Sequence, residues 1–135
     1  MSNQYSRKTI IGAGILGGLI AELVGGFVGG ITDGHMMNWM LIIHFIINIA
    51  IGVLFAIVVK KSRIRGMGKG IGLGIITGII NYVAIFLPIA LSQNIPSMTM
   101  ARVFGAHVVF GVILGVIVML IIKRSEKDQK FIDLK

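Results

Sequence analysis

The chain contains no cysteine, only two prolines and five acidic residues among 135, and no polar stretch long enough to fold as a water-soluble domain. Without cysteine there are no disulfides, no thiolate metal sites and no cysteine nucleophile, which removes several enzyme classes. A Ser-His-Asp constellation, a pair of acids and a phosphate loop are also missing. The run Gly66, Gly68, Gly70, Gly72 and Gly74 follows a basic segment rather than a strand, so it reads as the start of a helix. With soluble segments too short to enclose a substrate, no enzymatic activity is expected.

What is present is apolar. Hydrophobic residues make up 56% of the chain and mean hydropathy is +0.95. A helix needs about 20 mostly apolar residues to cross the hydrocarbon core, and residues 10–31, 39–59, 70–91 and 103–122 supply four such stretches. The predicted fold is therefore an all-α integral membrane protein, with residues 1–135 as a single membrane domain of four transmembrane helices. Residues 123–135 form a charged tail able to continue the last helix into water. The first stretch is glycine-rich and carries Glu22, unlike a cleaved signal peptide, and is expected to be retained.

Charge is concentrated in blocks. Arg7 and Lys8 precede the first stretch, Lys60, Lys61, Arg63, Arg65 and Lys69 separate the second from the third, and Lys123, Arg124, Lys127, Lys130 and Lys135 follow the fourth. Only Arg102 lies on the other side. By the positive-inside rule both termini are cytoplasmic, and so strong a bias argues against dual insertion. The net charge of +8 then reflects topology and attraction to anionic lipids at the cytoplasmic face, with no nucleic-acid partner expected.

The sequence also reads twice. Residues 44–62 align without a gap on residues 107–125, placing His44 on His107, Gly52 on Gly115 and Lys60-Lys61 on Lys123-Arg124. At a slightly shorter offset, Gly12, Gly14 and Gly18 fall on Gly72, Gly74 and Gly78. Two copies of one helical hairpin, each with an even number of spans, enter the membrane in the same direction as parallel repeats about an axis along the membrane normal. Residues 32–38 and 92–102 are the outer turns, the latter carrying Pro96, while Pro88 is expected to kink the third helix or end its regular portion.

Lipid tails give helices no hydrophobic reason to associate, so small residues four apart mark close packing faces. These are Gly14 and Gly18, Gly25 and Gly29, and Gly26 and Gly30 in the first helix; Gly70, Gly74 and Gly78 in the third; and Gly111 and Gly115 in the fourth. They predict a tight four-helix bundle with the first and third helices near its axis.

The polar residues inside the stretches are few: Glu22, His44, Asn48, Thr77, Asn81, Tyr82 and His107. They continue the glycine stripes, Glu22 after Gly14 and Gly18, Tyr82 after Gly74 and Gly78, and His107 before Gly111 and Gly115. At 1.5 Å per residue Glu22 lies roughly 13 Å below the outer end of its helix, His44 roughly 9 Å and His107 roughly 7 Å, depths at which the three can converge. An unpartnered ionised carboxylate there costs on the order of 3 kcal/mol or more. Glu22 is therefore expected to be protonated, paired with a histidine or open to a watery cavity. It serves either as a proton-binding or cation-binding group, with Asn48, Asn81 and Tyr82 beside it, or as a structural hydrogen-bonding partner of Asn48 or Asn81.

His44 and His107, at matching positions near the pseudo-twofold axis, are candidate ligands for axial coordination of haem b or for a shared divalent metal. Gly52 and Gly111 would give room and Arg102 would meet a propionate. The alternative is that each histidine hydrogen-bonds a neighbouring helix, and composition by itself implies no cofactor. Asp33 and His35 in the first outer turn are possible additional ligands. Met36, Met37 and Met40 read as apolar packing at the interface.

The string Ile20-Ala21-Glu22-Leu23-Val24-Gly25 resembles the first-helix signature of small multidrug resistance transporters, whose glutamate exchanges protons for cationic drugs. That likeness implies a coupling role for Glu22, although the family's third-helix aromatic-glycine signature is missing here. Over residues 10–122, the whole order resembles YagU-type small bacterial inner-membrane proteins: a glycine-rich helix, a histidine helix with a late glycine, a basic loop, a glycine-rich helix with Asn81 and Pro88, and a final His-Val-Val-Phe-Gly-Val-Ile-Leu-Gly stretch. This second resemblance implies a multi-pass protein of the bacterial inner membrane and an association with acid tolerance.

Three functions follow as expectations. The first is a proton-linked translocator of an ion or small solute, working as a homo-oligomer because four helices leave little room for a pathway. The second is a haem- or metal-binding module built on His44 and His107, and the third a non-catalytic membrane subunit of a larger complex.

Overall fold

The structure, a computed structural model, describes residues 7–29 and 38–132, and the described secondary structure is entirely helical. Helix α1 spans Arg7–Gly29, α2 Asn38–Lys61 and α3 Met67–Asn81; a π-helical turn, Tyr82–Phe86, leads into α4, Leu87–Ser92, and α5 runs over Ser97–Ile132. Since α3, the π turn and α4 form one rod, the described residues contain four helical rods long and apolar enough to cross a membrane. This is the architecture of a multi-pass membrane protein. The first outer turn, with Gly30, Asp33, His35, Met36 and Met37, lies outside the described residues, as do Lys135 and the side chains of Met40 and Lys130.

Helix ends follow local chemistry. Arg63 and Asn94 adopt left-handed conformations, φ 52° and 51°, and close the preceding helices through bonds from Ile64 N–H to Val59 O at 3.2 Å and from Ile95 N–H to Ala90 O at 3.0 Å. The second outer turn is shorter than residues 92–102. Pro96 caps α5 by accepting the Met100 N–H at 3.1 Å, so Arg102 sits inside the helix rather than in the turn. Proline is tolerated at a helix start because no donor is required of it there. In the third rod, Pro88 cannot donate to Ala84, and its ring would crowd that carbonyl. The backbone widens one turn earlier, with Leu87 N–H bonding Tyr82 O five residues back.

The order of packing corrects one expectation. Helix α1 packs along both α2 and α5, and α3 packs along α5, whereas α2 and α3 barely touch. The central pair is therefore the first and last rods, not the first and third. The reason lies in α1, which has two small faces: Gly14 and Gly18 meet the α2 backbone, while Gly17 meets Leu114 and Val118 and Gly25 meets Ala106 and Phe110 of α5. What surrounds Gly29, the last residue of α1, lies outside the described residues.

The two hairpins also differ in register. A Cβ on Gly14 would strike Val53 and Gly52, whereas one on Gly74 would strike the Gly111 carbonyl first. Gly52 aligns with Gly115 in the sequence, so the second contact falls four residues, about one helical turn, from the position matching the first. Gly78 lies against the His107 carbonyl, Gly70 against Met119, and Gly115 against the backbone of Gly70 and Ile71.

The apolar core fills the end of the bundle beside the α2–α3 turn. Leu114, Val118, Met119 and Ile122 of α5 pack there with Phe55, Ala56 and Val59 of α2 and Ile10 of α1. The polar side chains gather toward the opposite end.

Candidate functional site

Glu22 sits on the face of α1 that Gly14 and Gly18 press against α2, so its carboxylate is driven into the interface with α2 rather than toward lipid. It is 5% exposed. One oxygen, Oε1, lies 2.7 Å from His44 Nδ1, and the other, Oε2, accepts the Asn48 side-chain N–H at 2.6 Å. His44 and Asn48 are four residues apart and therefore share a helix face; their side chains approach to 3.2 Å. Asn48 is 1% exposed and its carbonyl oxygen accepts the Asn81 amide at 2.8 Å. This bond ties α2 to α3 where the two helices otherwise hardly pack. The amides form a directed chain, Asn81 to Asn48 to Glu22, with the carboxylate as final acceptor.

The histidines come together but are held differently. His107 is 6% exposed and donates Nδ1–H to the Val103 carbonyl of its own helix at 2.8 Å. Its ring meets that of His44 edge to face, with centroids 6.1 Å apart. Around it stand Tyr82, centroid distance 5.6 Å, and Phe86, 6.3 Å. The Tyr82 hydroxyl reaches the Met100 carbonyl at 3.4 Å. Among the described residues, no group of three metal-capable His, Cys, Asp or Glu side chains stands together. Thr77 turns its hydroxyl back to the Leu73 carbonyl of its own helix at 2.9 Å.

The structure thus joins Glu22, His44, Asn48 and Asn81 in one hydrogen-bonded cluster, and sets His107 and Tyr82 against it by ring contact. Sequence reasoning placed Glu22, His44 and His107 at depths that let them converge and named Asn48, Asn81 and Tyr82 as further site residues, but it did not pair Glu22 with His44 by name, and it missed the Val103 and Met100 carbonyls and the rings of Phe86 and Phe104 beside Tyr82. One signal was available: the offset that puts Gly18 on Gly78 also puts Glu22 on Tyr82. Each hairpin therefore aims the residue at this position at the histidine of its partner helix, as a carboxylate in one and a phenol ring in the other.

No protein-family model, curated protein or solved structure matches the chain. Its own geometry defines it as a four-helix candidate membrane protein with a buried Glu22–His44 pair.

Proposed function

We propose that the protein is a proton-linked translocator of an ion or small solute in which Glu22 and His44 together bind and release the proton. The observation that carries this reading is the 2.7 Å contact between a buried carboxylate and a histidine whose side chain is 30% exposed. Basic residues stop at Lys8 and resume at Lys60, so no lysine or arginine of these segments neutralises Glu22. The groups that face it are His44 and Asn48 of α2, with His107 of α5 and Tyr82 behind the imidazole. With the proton bound, one hydrogen lies between Oε1 and Nδ1, as imidazolium and carboxylate or as neutral imidazole and acid; with it released from Nε2, neutral His44 keeps Nδ1–H and still donates to the Glu22 carboxylate. The pair stays hydrogen-bonded at both proton counts, which lowers the cost of changing its proton count inside the membrane. The more open imidazole is the side from which a proton leaves. The likeness of residues 20–25 to the first helix of small multidrug resistance transporters points the same way. We place the protein in a bacterial inner membrane with both termini cytoplasmic, non-enzymatic, and acting with a second copy or a membrane partner.

The test uses pyranine-loaded proteoliposomes under a potassium diffusion potential, with tetraphenylphosphonium, sodium or no cation supplied opposite. Parent protein should acidify or alkalinise the lumen faster than protein-free vesicles under at least one condition, and Glu22→Gln should return the rate to the protein-free value. A folded Glu22→Gln protein as fast as its parent overturns the proposal. So does a parent indistinguishable from empty vesicles throughout, which would favour a non-catalytic subunit.

A further inference from the structure

Between α2 and the third rod lies a groove of about 280 Å³. Leu54, Phe55 and Val58 form one wall, and Leu73, Ile80 and Ala84 the other. The α2 wall, from Ile51 to Val58, is about 10 Å long and the facing wall, from Leu73 to Ile85, about 18 Å along the helix axis, lengths that bracket the roughly 15 Å of one leaflet's hydrocarbon.

The groove ends at a basic turn. Val58 stands three residues from Lys61, and Leu73 four from Lys69, so both cations lie within about 6 Å of it along the axes. Lys61, Arg63, Arg65 and Lys69 are all exposed. Ile64 between the two arginines packs onto the apolar core, and the left-handed Arg63 turns the chain back on itself. This anchoring holds the arginines on the outside of an ordered turn. The first turn of α3 adds donors: Gly66 at its N-cap supplies no side-chain hydrogen bond, and a Cβ at Gly68 would meet nothing within 4 Å. Backbone N–H groups there are open to an anion. The turn itself carries no acid, the described carboxylates at this end of the bundle being Glu126 and Asp128 of α5.

An apolar slot of one-leaflet length, ending at clustered cations and an uncapped helix start, is complementary to a molecule with a hydrocarbon tail and an anionic head. We infer that the groove holds an acyl chain of an anionic phospholipid whose phosphate rests against Lys61, Arg63, Arg65, Lys69 and the start of α3. Asn81, which bonds Asn48 of the Glu22 cluster, lines the groove beside Thr77, but the lipid site does not depend on the role of the Glu22–His44 pair. It also differs from general attraction of a basic surface to anionic membranes, because it requires the groove as well as the charge.

The experiment adds phosphatidylglycerol or phosphatidylcholine to the delipidated full-length protein in neutral detergent, and reads bound lipid by native mass spectrometry and stability by thermal unfolding. Phosphatidylglycerol should be retained about one per chain and raise the melting temperature, with phosphatidylcholine retained at least about fivefold less. Replacing Lys61, Arg63, Arg65 and Lys69 together by glutamine should abolish that preference. Ala84→Phe, and separately Leu73→Trp, should expel the lipid while leaving every cation in place. Circular dichroism confirms that each variant is folded. Equal retention of the two lipids overturns the inference. So does undiminished phosphatidylglycerol retention in both folded groove variants, which would show surface attraction only. A dimer that closes the groove in delipidated protein and dissociates in those variants would assign the groove to a second copy instead.

Discussion

Glu22 Oε1 stands 2.7 Å from His44 Nδ1, joining a carboxylate of α1 to an imidazole of α2. At the matching place in the second hairpin, Tyr82 meets His107 through ring contact alone, with centroids 5.6 Å apart. The two hairpins are therefore not equivalent at this position. The first holds a carboxylic acid and a histidine in hydrogen bond, and the second packs its histidine behind them with Nδ1 committed to a backbone carbonyl. The asymmetry gives a carboxyl–imidazole hydrogen bond to one pair only and leaves Tyr82 and His107 packed beside it.

Truncating the acid should separate its chemistry from its structural role. Glu22→Ala removes the acceptor of a buried Asn48 amide and is expected to destabilise the protein by about 1–3 kcal/mol. Glu22→Gln keeps the shape and an acceptor oxygen and should cost less. Both should lose proton-linked flux. Unfolding in detergent gives the first quantity and the vesicle assay the second; equal stability of Glu22→Ala and parent would mean that the Asn48 bond contributes little.

The Asn48–Asn81 bond is expected to couple α2 to α3 energetically. In a double-mutant cycle, Asn48→Ala and Asn81→Ala should show an interaction energy of about 0.5–2 kcal/mol. Additive losses would show that the 2.8 Å contact does not hold the two helices together.

Glycine substitutions should sort by what the new methyl meets. Gly78→Ala drives a Cβ into the His107 carbonyl, and Gly74→Ala into that of Gly111; each should destabilise by about 1–3 kcal/mol by forcing α3 and α5 apart. Gly72→Ala and Gly12→Ala meet nothing within 4 Å and should be neutral or stabilising by up to about 1 kcal/mol, because alanine is the better helix former. Comparable losses at Gly72 and Gly78 would contradict the packing described above.

Pro88→Ala restores an N–H and removes the ring that crowds Ala84. The widened turn at Tyr82–Phe86 should then relax toward α-helical bonding, which hydrogen exchange would register as stronger amide protection across residues 84–87. Unchanged exchange would place the cause of the π turn in the packing of Tyr82 against Phe86 and Phe104, whose rings lie 5.5 Å and 5.2 Å from it.

Sequence by itself determined the number of apolar rods, the inventory of buried polar groups and the faces that small residues present, because hydropathy and helical period are local properties of the chain. Tertiary structure decided which rods meet. A stripe of glycines identifies a face but not its neighbour, and α1 carries two such faces, Gly14-Gly18 toward α2 and Gly17-Gly25 toward α5, which puts α5 rather than the third rod beside it. Register was equally open to the sequence, since a four-residue repeat of small side chains fits as well after sliding by one turn, and the two hairpins settle one turn apart. The partner of Glu22 depended on both choices. Asn48 and Asn81 were both within conceivable reach, and so was His44. Only the close approach of α1 to α2, permitted where Gly18 lies against Asn48, brings the carboxylate against His44 and Asn48 together and leaves Asn81 to join the cluster through Asn48.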